Sequence, residues 1–175
     1  MDKVLVLDDF LDVALLGYLE EKIKSPLWEF GHRSVPETSY PMWYQKVYHE
    51  GDDGSCDAEW FAIANKFSRT VNDYFGVHAV PYRIMLSGNT FGQEGDRHRD
   101  SQTEGFYTGV IHLNPEIKSH WGGETVIYTD PITTVEYKYN RLVMFPSEIP
   151  HIGRAPIRQS GQLRTILSLM SKEDV

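Results

Sequence analysis

The second half of this sequence is a series of short β-prone runs separated by turn-forming residues, and few folds accept that pattern. Residues 82–86, 107–113, 124–128, 133–137, 141–145 and 163–170 are rich in aliphatic, aromatic and threonine side chains, with Gly, Pro, Asn and Asp between them. Branched and aromatic side chains suit a pleated, half-buried surface, and the intervening residues supply the backbone angles of turns. Closely spaced strands of this kind predict an antiparallel barrel or sandwich.

The first half reads differently. Residues 3–7 predict a short apolar strand. Asp12 is placed to cap a helix whose apolar positions are Val13, Leu16, Leu19 and Ile23, and Pro26 stops it. The stretch 34–41 reads as a loop, 42–48 as a strand and 51–55 as a turn. A second helix is expected from near Asp57 to about Phe75. Its inner stripe would be Trp60, Ala64, Phe67, Val71 and Tyr74, and Gly76 would end it. Helices first and strands after give an α+β, mainly β layout, with the helices bracing one face of a sheet.

The chain's 175 residues suit one domain. Its 17 basic and 25 acidic side chains leave a formal charge of −8, which argues against a duplex nucleic-acid partner. The single cysteine, Cys56, forbids an intramolecular disulfide and reads as a loop or helix-start residue with no role. No window approaches the ~20 apolar residues of a bilayer span, and 4–7 is too short for a signal segment. The expectation is a soluble, cytoplasmic protein with no membrane partner.

Among seven histidines, His32, His49 and His78 have no neighbour in sequence that suggests a site, and read as surface or packing residues. His98 lies in Asp96-Arg97-His98-Arg99-Asp100, after a glycine-containing turn. On a strand, His98 and Asp100 would point to one face. The alternative is a surface ion cluster with Arg97 and Arg99. His151 follows 51 residues past Asp100, and Arg164 13 residues further interrupts an apolar strand-like run. A guanidinium buried there needs an anionic partner, and its planar fork fits a carboxylate. A structural salt bridge would also explain it. Two histidines and one carboxylate match the ligand set of non-haem Fe(II) oxygenases, which leaves open positions on the metal. A zinc hydrolase uses similar ligands, but no His-Glu-x-x-His run is present.

Several pieces in order then resemble one family. They are Phe91-Gly92-Gln93-Glu94-Gly95-Asp96-Arg97-His98-Arg99-Asp100-Ser101, Val110-Ile111-His112-Leu113-Asn114-Pro115, Trp121-Gly122-Gly123-Glu124-Thr125, Asn140-Arg141-Leu142-Val143-Met144-Phe145-Pro146, His151, and Arg164 on a leucine-rich strand. Residues 86–172 resemble the prolyl 4-hydroxylase-like branch of the 2-oxoglutarate/Fe(II) dioxygenases, and 6–11 is similar to the opening of such domains. The resemblance implies a double-stranded β-helix (jelly-roll) core over 81–172, with 1–80 as helical support packed on one sheet. It implies His98, Asp100 and His151 as catalytic iron ligands and Arg164 as the anchor of the distal carboxylate of 2-oxoglutarate. Gly122-Gly123 would make a tight turn without ligating. His112 stands where relatives often carry tyrosine, and is either a cosubstrate contact or a core histidine paired with its neighbours. Ile166 replaces a hydroxyl residue common in relatives, and the distance from His151 to Arg164 implies a larger hairpin.

The implied cofactors are Fe(II), 2-oxoglutarate and O2, with ascorbate as a further candidate. The implied reaction is hydroxylation of an unactivated C–H, of a prolyl residue in a peptide or protein, or alternatively of a free amino acid or other small molecule. Trp43 and Tyr44, with the loop at 34–42 and the turn at 51–55, would line the entrance or simply pack. A reading of another class is a non-catalytic jelly-roll or cupin-like binder.

Overall fold

The structure, a computed structural model, describes residues 3–37, 40–51 and 56–174. The elements run β1 (Leu5–Leu7), α1 (Val13–Ile23), β2 (Glu29–His32), β3 (Met42–His49), α2 (Ala58–Phe75), β4 (Ala79–Asn89), β5 (Phe106–His112), β6 (Thr125–Ile127), β7 (Thr133–Val135), β8 (Leu142–Pro146), β9 (His151–Gly153) and β10 (Arg164–Glu173). Seven strands form one sheet in the order β1-β8-β5-β10-β4-β3-β2, and three form a second, β7-β6-β9. Every strand pairing is antiparallel. The expected mainly β jelly-roll with supporting helices is what the chain adopts.

Period-2 alternation divides the large sheet into two faces. Ile84 and Leu86 of β4, Ile111 of β5, Leu142 and Met144 of β8 and Leu167 and Leu169 of β10 pack with Leu19 of α1 and Trp60, Ile63, Ala64, Phe67 and Val71 of α2. The opposite face meets the small sheet: Val143 and Phe145 of β8 pack with Ile127, Val135 and Ile149. Between the β4–β10 half of the large sheet and the small sheet the packing gives way to a cavity lined by polar and charged groups. Gly109 of β5 lets α2 approach, because a Cβ there would overlap the Phe67 ring.

Both helices start and stop near their expected positions. Asp12 caps α1 by accepting the Leu15 amide at 3.0 Å, and Gly76 ends α2 in the left-handed region at φ 72°. Two details differ. Val13, at the first helical position, faces water at 85% exposure. Asp57 occupies the cap position of α2, yet its carboxylate accepts the Tyr18 hydroxyl at 2.6 Å and Lys22 Nζ at 2.7 Å, which ties α1 to α2.

The strand expected at 82–86 extends to Ala79–Asn89. Pro81 is tolerated within it because β3 pairs only as far as His49 opposite Arg83, and β10 shifts register between Met170 and Ser171, opposite Pro81. Strands β2 and β9, of four and three residues, were not expected. Part of the expected loop at 34–41 (Thr38, Ser39) and most of the turn at 51–55 (residues 52–55) lie outside the described residues.

Candidate active site

His98 and His151 are brought together by backbone pairing. The His98 amide donates to the His151 carbonyl at 3.0 Å and the His151 amide to the His98 carbonyl at 2.8 Å, as an isolated antiparallel bridge. The rings lie 4.4 Å apart. Each ring is oriented by its own backbone: His98 Nδ1 lies 2.8 Å from the Asp96 carbonyl, and His151 Nδ1 3.2 Å from that of Ile149. A carbonyl only accepts, so Nδ1 carries the proton in each neutral ring and Nε2 keeps its lone pair.

Both Nε2 atoms face Asp100. His98 Nε2 is 3.8 Å from Oδ1 and His151 Nε2 is 3.6 Å from Oδ2. One donor atom from each of the three residues falls within 4.8 Å of the others. Ligands on adjacent octahedral positions at about 2.1 Å from a metal sit about 3 Å apart, so a closure of under about 2 Å would complete such a set.

The carboxylate is held from behind. The Thr108 hydroxyl donates to Asp100 Oδ2 at 2.8 Å. That uses its one proton, so the Ser147 hydroxyl, 2.8 Å away, donates to Thr108. Arg83 Nη2 lies 3.3 Å from Oδ1. Burial acts to raise the Asp100 pKa, but the His151, Arg83 and His98 rings and guanidinium, with the Thr108 bond, hold it well below the usual carboxylate range. Burial dominates at His151 and lowers its pKa, which keeps the ring neutral. An ionised carboxylate beside a neutral His151 imidazole fits a divalent metal.

Arg164, at the head of β10, is 3% exposed. Its Nε donates to the Gly123 carbonyl at 2.7 Å and its Nη2 to Thr125 Oγ1 at 3.3 Å. Gly122 and Gly123 both have positive φ, 77° and 81°, and a Cβ on Gly123 would lie 3.3 Å from Arg164 Cδ, which is the turn and close approach expected there. No carboxylate among the described residues pairs with this guanidinium. Burial pulls its pKa down, opposed by Tyr137, Glu124 and Glu94. The site therefore holds a buried cation whose anionic partner is not supplied by the described chain, on the wall of the cavity that also exposes the His–Asp–His cluster.

His112 is fully buried and is not among the side chains lining the cavity. Its ring stacks on Tyr137 at 4.3 Å and 9°. Nδ1 accepts the Lys138 amide at 3.1 Å, so Nε2 carries the proton toward Thr125 Oγ1 at 3.4 Å. It lies in the core behind Thr125. Tyr137 donates to the Thr165 carbonyl at 2.9 Å, and burial pushes its phenol up to about 12.

Two side chains at the cavity were not anticipated. Arg83 on β4 points inward with Met85, Ser87 and Asn89. The signal was present, since Arg83 interrupts an apolar strand as Arg164 does. His32, read as a surface or packing residue, lines the cavity because β2 pairs onto β3 beside it. Arg97 stacks outward on Tyr128 at 4.1 Å, whereas Arg99 lines the cavity. Trp43 and Tyr44 do not: Trp43 packs on Phe30 at 5.0 Å, and Tyr44 donates to Glu29 at 2.7 Å.

A jelly-roll core with two histidines and one carboxylate drawn together is an arrangement that could hold a divalent metal. A family model described as the 2OG-Fe(II) oxygenase superfamily matches residues 82–169, half of the chain. Similar solved structures include an oxidoreductase of the 2OG-Fe(II) oxygenase family from Burkholderia pseudomallei, at TM-score 0.74 and 13% identity, covering 97% of this chain and 85% of that one. A Pseudomonas putida prolyl-4-hydroxylase has TM-score 0.73 and 19% identity, covering 99% and 94%. HygX from Streptomyces hygroscopicus, with nickel, 2-oxoglutarate and hygromycin B bound, has TM-score 0.70 and 8% identity, covering 98% and 83%. A comparison with curated proteins finds no match. The chain belongs to the 2OG-Fe(II) oxygenase superfamily, whose members use Fe(II), 2-oxoglutarate and O2. Among the described residues, no helix is long and apolar enough to cross a membrane.

Proposed function

We propose that this chain is a hydroxylase that holds Fe(II) on His98, Asp100 and His151 and seats the distal carboxylate of 2-oxoglutarate on Arg164. Its substrate is a prolyl residue in a peptide or protein, and residues 1–175 act as one domain. The observation that carries the reading is Arg164: a buried guanidinium with no carboxylate partner among the described residues, facing the cavity of the His–Asp–His cluster. A dicarboxylate cosubstrate supplies the missing anion.

When bound, the metal and its cosubstrates supply the oxidation that converts 2-oxoglutarate and O2 to succinate and carbon dioxide and places a hydroxyl on a C–H. The chain's residues orient and enclose. The two Nε2 lone pairs are aimed by backbone carbonyls, and Thr108 fixes the carboxylate rotamer. Arg164 is held by Gly123 and Thr125, so its remaining N–H groups are presented in one direction. Val110 and Ile166 give the cavity an apolar wall that excludes water near the reacting centre.

The prolyl assignment is supported by the sequence resemblance and by the likeness to the Pseudomonas putida prolyl-4-hydroxylase. A second reading, a small-molecule substrate, is favoured by the polar lining from Ser34, Ser87, Asn89 and Ser168 and by the likeness to HygX. The test is succinate formation from 2-oxoglutarate with Fe(II), with mass spectrometry of a peptide and small-molecule panel for added oxygen. Turnover should vanish with a chelator and in Asp100→Ala. Substrate-coupled turnover retained by Asp100→Ala would refute the ligand set, and no succinate under any condition would favour a non-catalytic binder.

A further inference from the structure

We infer that the substrate of this site carries a carboxylate, which Arg83 and Arg99 receive at the cavity. The inference rests on the reading of the centre as an Fe(II) and 2-oxoglutarate site, and it names the substrate class that the reading leaves open.

Charge balance motivates it. Asp100 is the one carboxylate among the described residues that line the cavity, against three arginines, Arg83, Arg99 and Arg164. With the site loaded, a divalent metal and the Arg164 cation are matched by the dianionic cosubstrate and Asp100. Arg83 and Arg99 are then left over, in a protein whose net charge is −8. The nearby Glu94 does not compensate them: it accepts Arg154 Nη1 at 2.8 Å and the Ala155 amide at 2.9 Å. A local surplus of positive charge lining a cavity selects an anion.

The two guanidiniums have capacity for it. Arg83 reaches Asp100 Oδ1 at 3.3 Å and Ser168 Oγ at 3.5 Å, both long for a charged donor. Its Nε is buried without a hydrogen-bond partner among the described residues. Once Asp100 engages a metal, its pull on Arg83 weakens further. Arg99 is exposed at the cavity wall and makes no ion pair among the described residues. Arg83 is fixed by its place in β4, inward beside the metal cluster, so an anion bound there places the neighbouring carbon skeleton near the oxidising centre. The carboxylate is either the substrate's own, as in a free amino acid, or that of an acidic residue beside the oxidised one in a peptide.

The test is calorimetric titration of the protein loaded with Zn(II), which holds such a site without redox chemistry, and 2-oxoglutarate. Two matched probe pairs separate the sources: L-proline against L-prolinamide, and a blocked prolyl-aspartate peptide against its prolyl-asparagine isostere. In at least one pair the carboxylate member should bind about 10- to 100-fold tighter, with an advantage that shrinks as salt rises. Arg83→Gln and Arg99→Gln should each reduce that ratio several-fold. Arg99 makes no hydrogen bond to the metal cluster, so its variant keeps the test decisive should Arg83→Gln disturb Asp100. A preference in the amino-acid pair alone assigns a free acid; one in the peptide pair assigns an acidic peptide. Equal binding within both pairs, binding by neither carboxylate, or a ratio unchanged in both variants overturns the inference. Uncoupled succinate formation by the Fe(II) wild type separates the two failures. Succinate without carboxylate preference removes this inference only, and no succinate and no 2-oxoglutarate binding removes the underlying reading as well.

Discussion

Replacing Arg164 with methionine should leave the ligand-free protein about as stable as before while abolishing its response to 2-oxoglutarate. The variant loses the Nε bond to Gly123, at 2.7 Å, a charge-assisted bond of about 1.5–3 kcal/mol. The longer contact to Thr125 matters less, because Thr125 Oγ1 still has His112 Nε2 at 3.4 Å. Against this, the variant no longer buries a cation without a carboxylate partner, and the effective penalty for burying an ion is several kcal/mol. The opposing effects leave a net change within about 1 kcal/mol, which is about 2–4 °C in Tm for a chain of this size. Were Arg164 instead half of an internal ion pair, removing it would cost about 3–5 kcal/mol. Scanning calorimetry with Zn(II) present, with and without 2-oxoglutarate, separates the cases. At about one hundred times Kd the wild type should gain about 2.7 kcal/mol from the cosubstrate, and the methionine variant should gain nothing. A fall of about 10 °C without ligand, or a retained cosubstrate shift, would refute the reasoning.

Thr108→Val removes the 2.8 Å bond to Asp100 with little change of shape. Metal affinity in competition titration should drop about 10- to 100-fold, and unchanged affinity would mean that Thr108 does not position the carboxylate. Gly153→Ala meets no backbone strain but puts a methyl 3.2 Å from both Nη atoms of Arg164. The expected result is a KM for 2-oxoglutarate raised about 5-fold or more at unchanged metal affinity, with a raised metal Kd as the contrary outcome. His112 is held neutral in the fold by burial and by the charges of Arg164 and Arg141. The unfolded chain takes up a proton near pH 6.5 that the folded ring refuses, so stability falls by about 1.4 kcal/mol per unit as pH drops below that value. His112→Gln should flatten this limb in urea melts between pH 7 and pH 5, and parallel slopes in the two proteins would contradict it.

The sheet was legible because its strands obey the physics that the pattern encodes. Ile84 and Leu86 alternate with Met85 and Ser87, and Leu167 and Leu169 with Ile166 and Ser168, so one face follows from burial alone. Strands β2 and β9 escaped because four and three residues are too few to establish a period. They form by pairing, β2 on β3 and β9 on β6, which is a long-range cause. The same holds for Asp57, whose local signal is a helix cap and whose actual partners, Tyr18 and Lys22, belong to another helix.

The site divides along a similar line. His98 and Asp100 share a face at a spacing of two, and His151 and Arg164 stand out as polar residues within apolar surroundings, so sequence exposes them. His112 could not be settled that way, because strand parity is the same for a cavity wall and for the core behind it. Its depth is decided by Tyr137 stacking on its ring and by the Lys138 amide on Nδ1, contacts that no spacing encodes. Arg83 carries the same signal as Arg164, a cation among inward-facing strand positions, and differs in having a chain carboxylate within 3.3 Å. An arginine in an apolar strand is therefore only a demand for an anion. Whether the chain or a ligand meets that demand depends on which carboxylates the fold brings near: Asp100 reaches Arg83 before a metal draws it away, and none among the described residues pairs with Arg164.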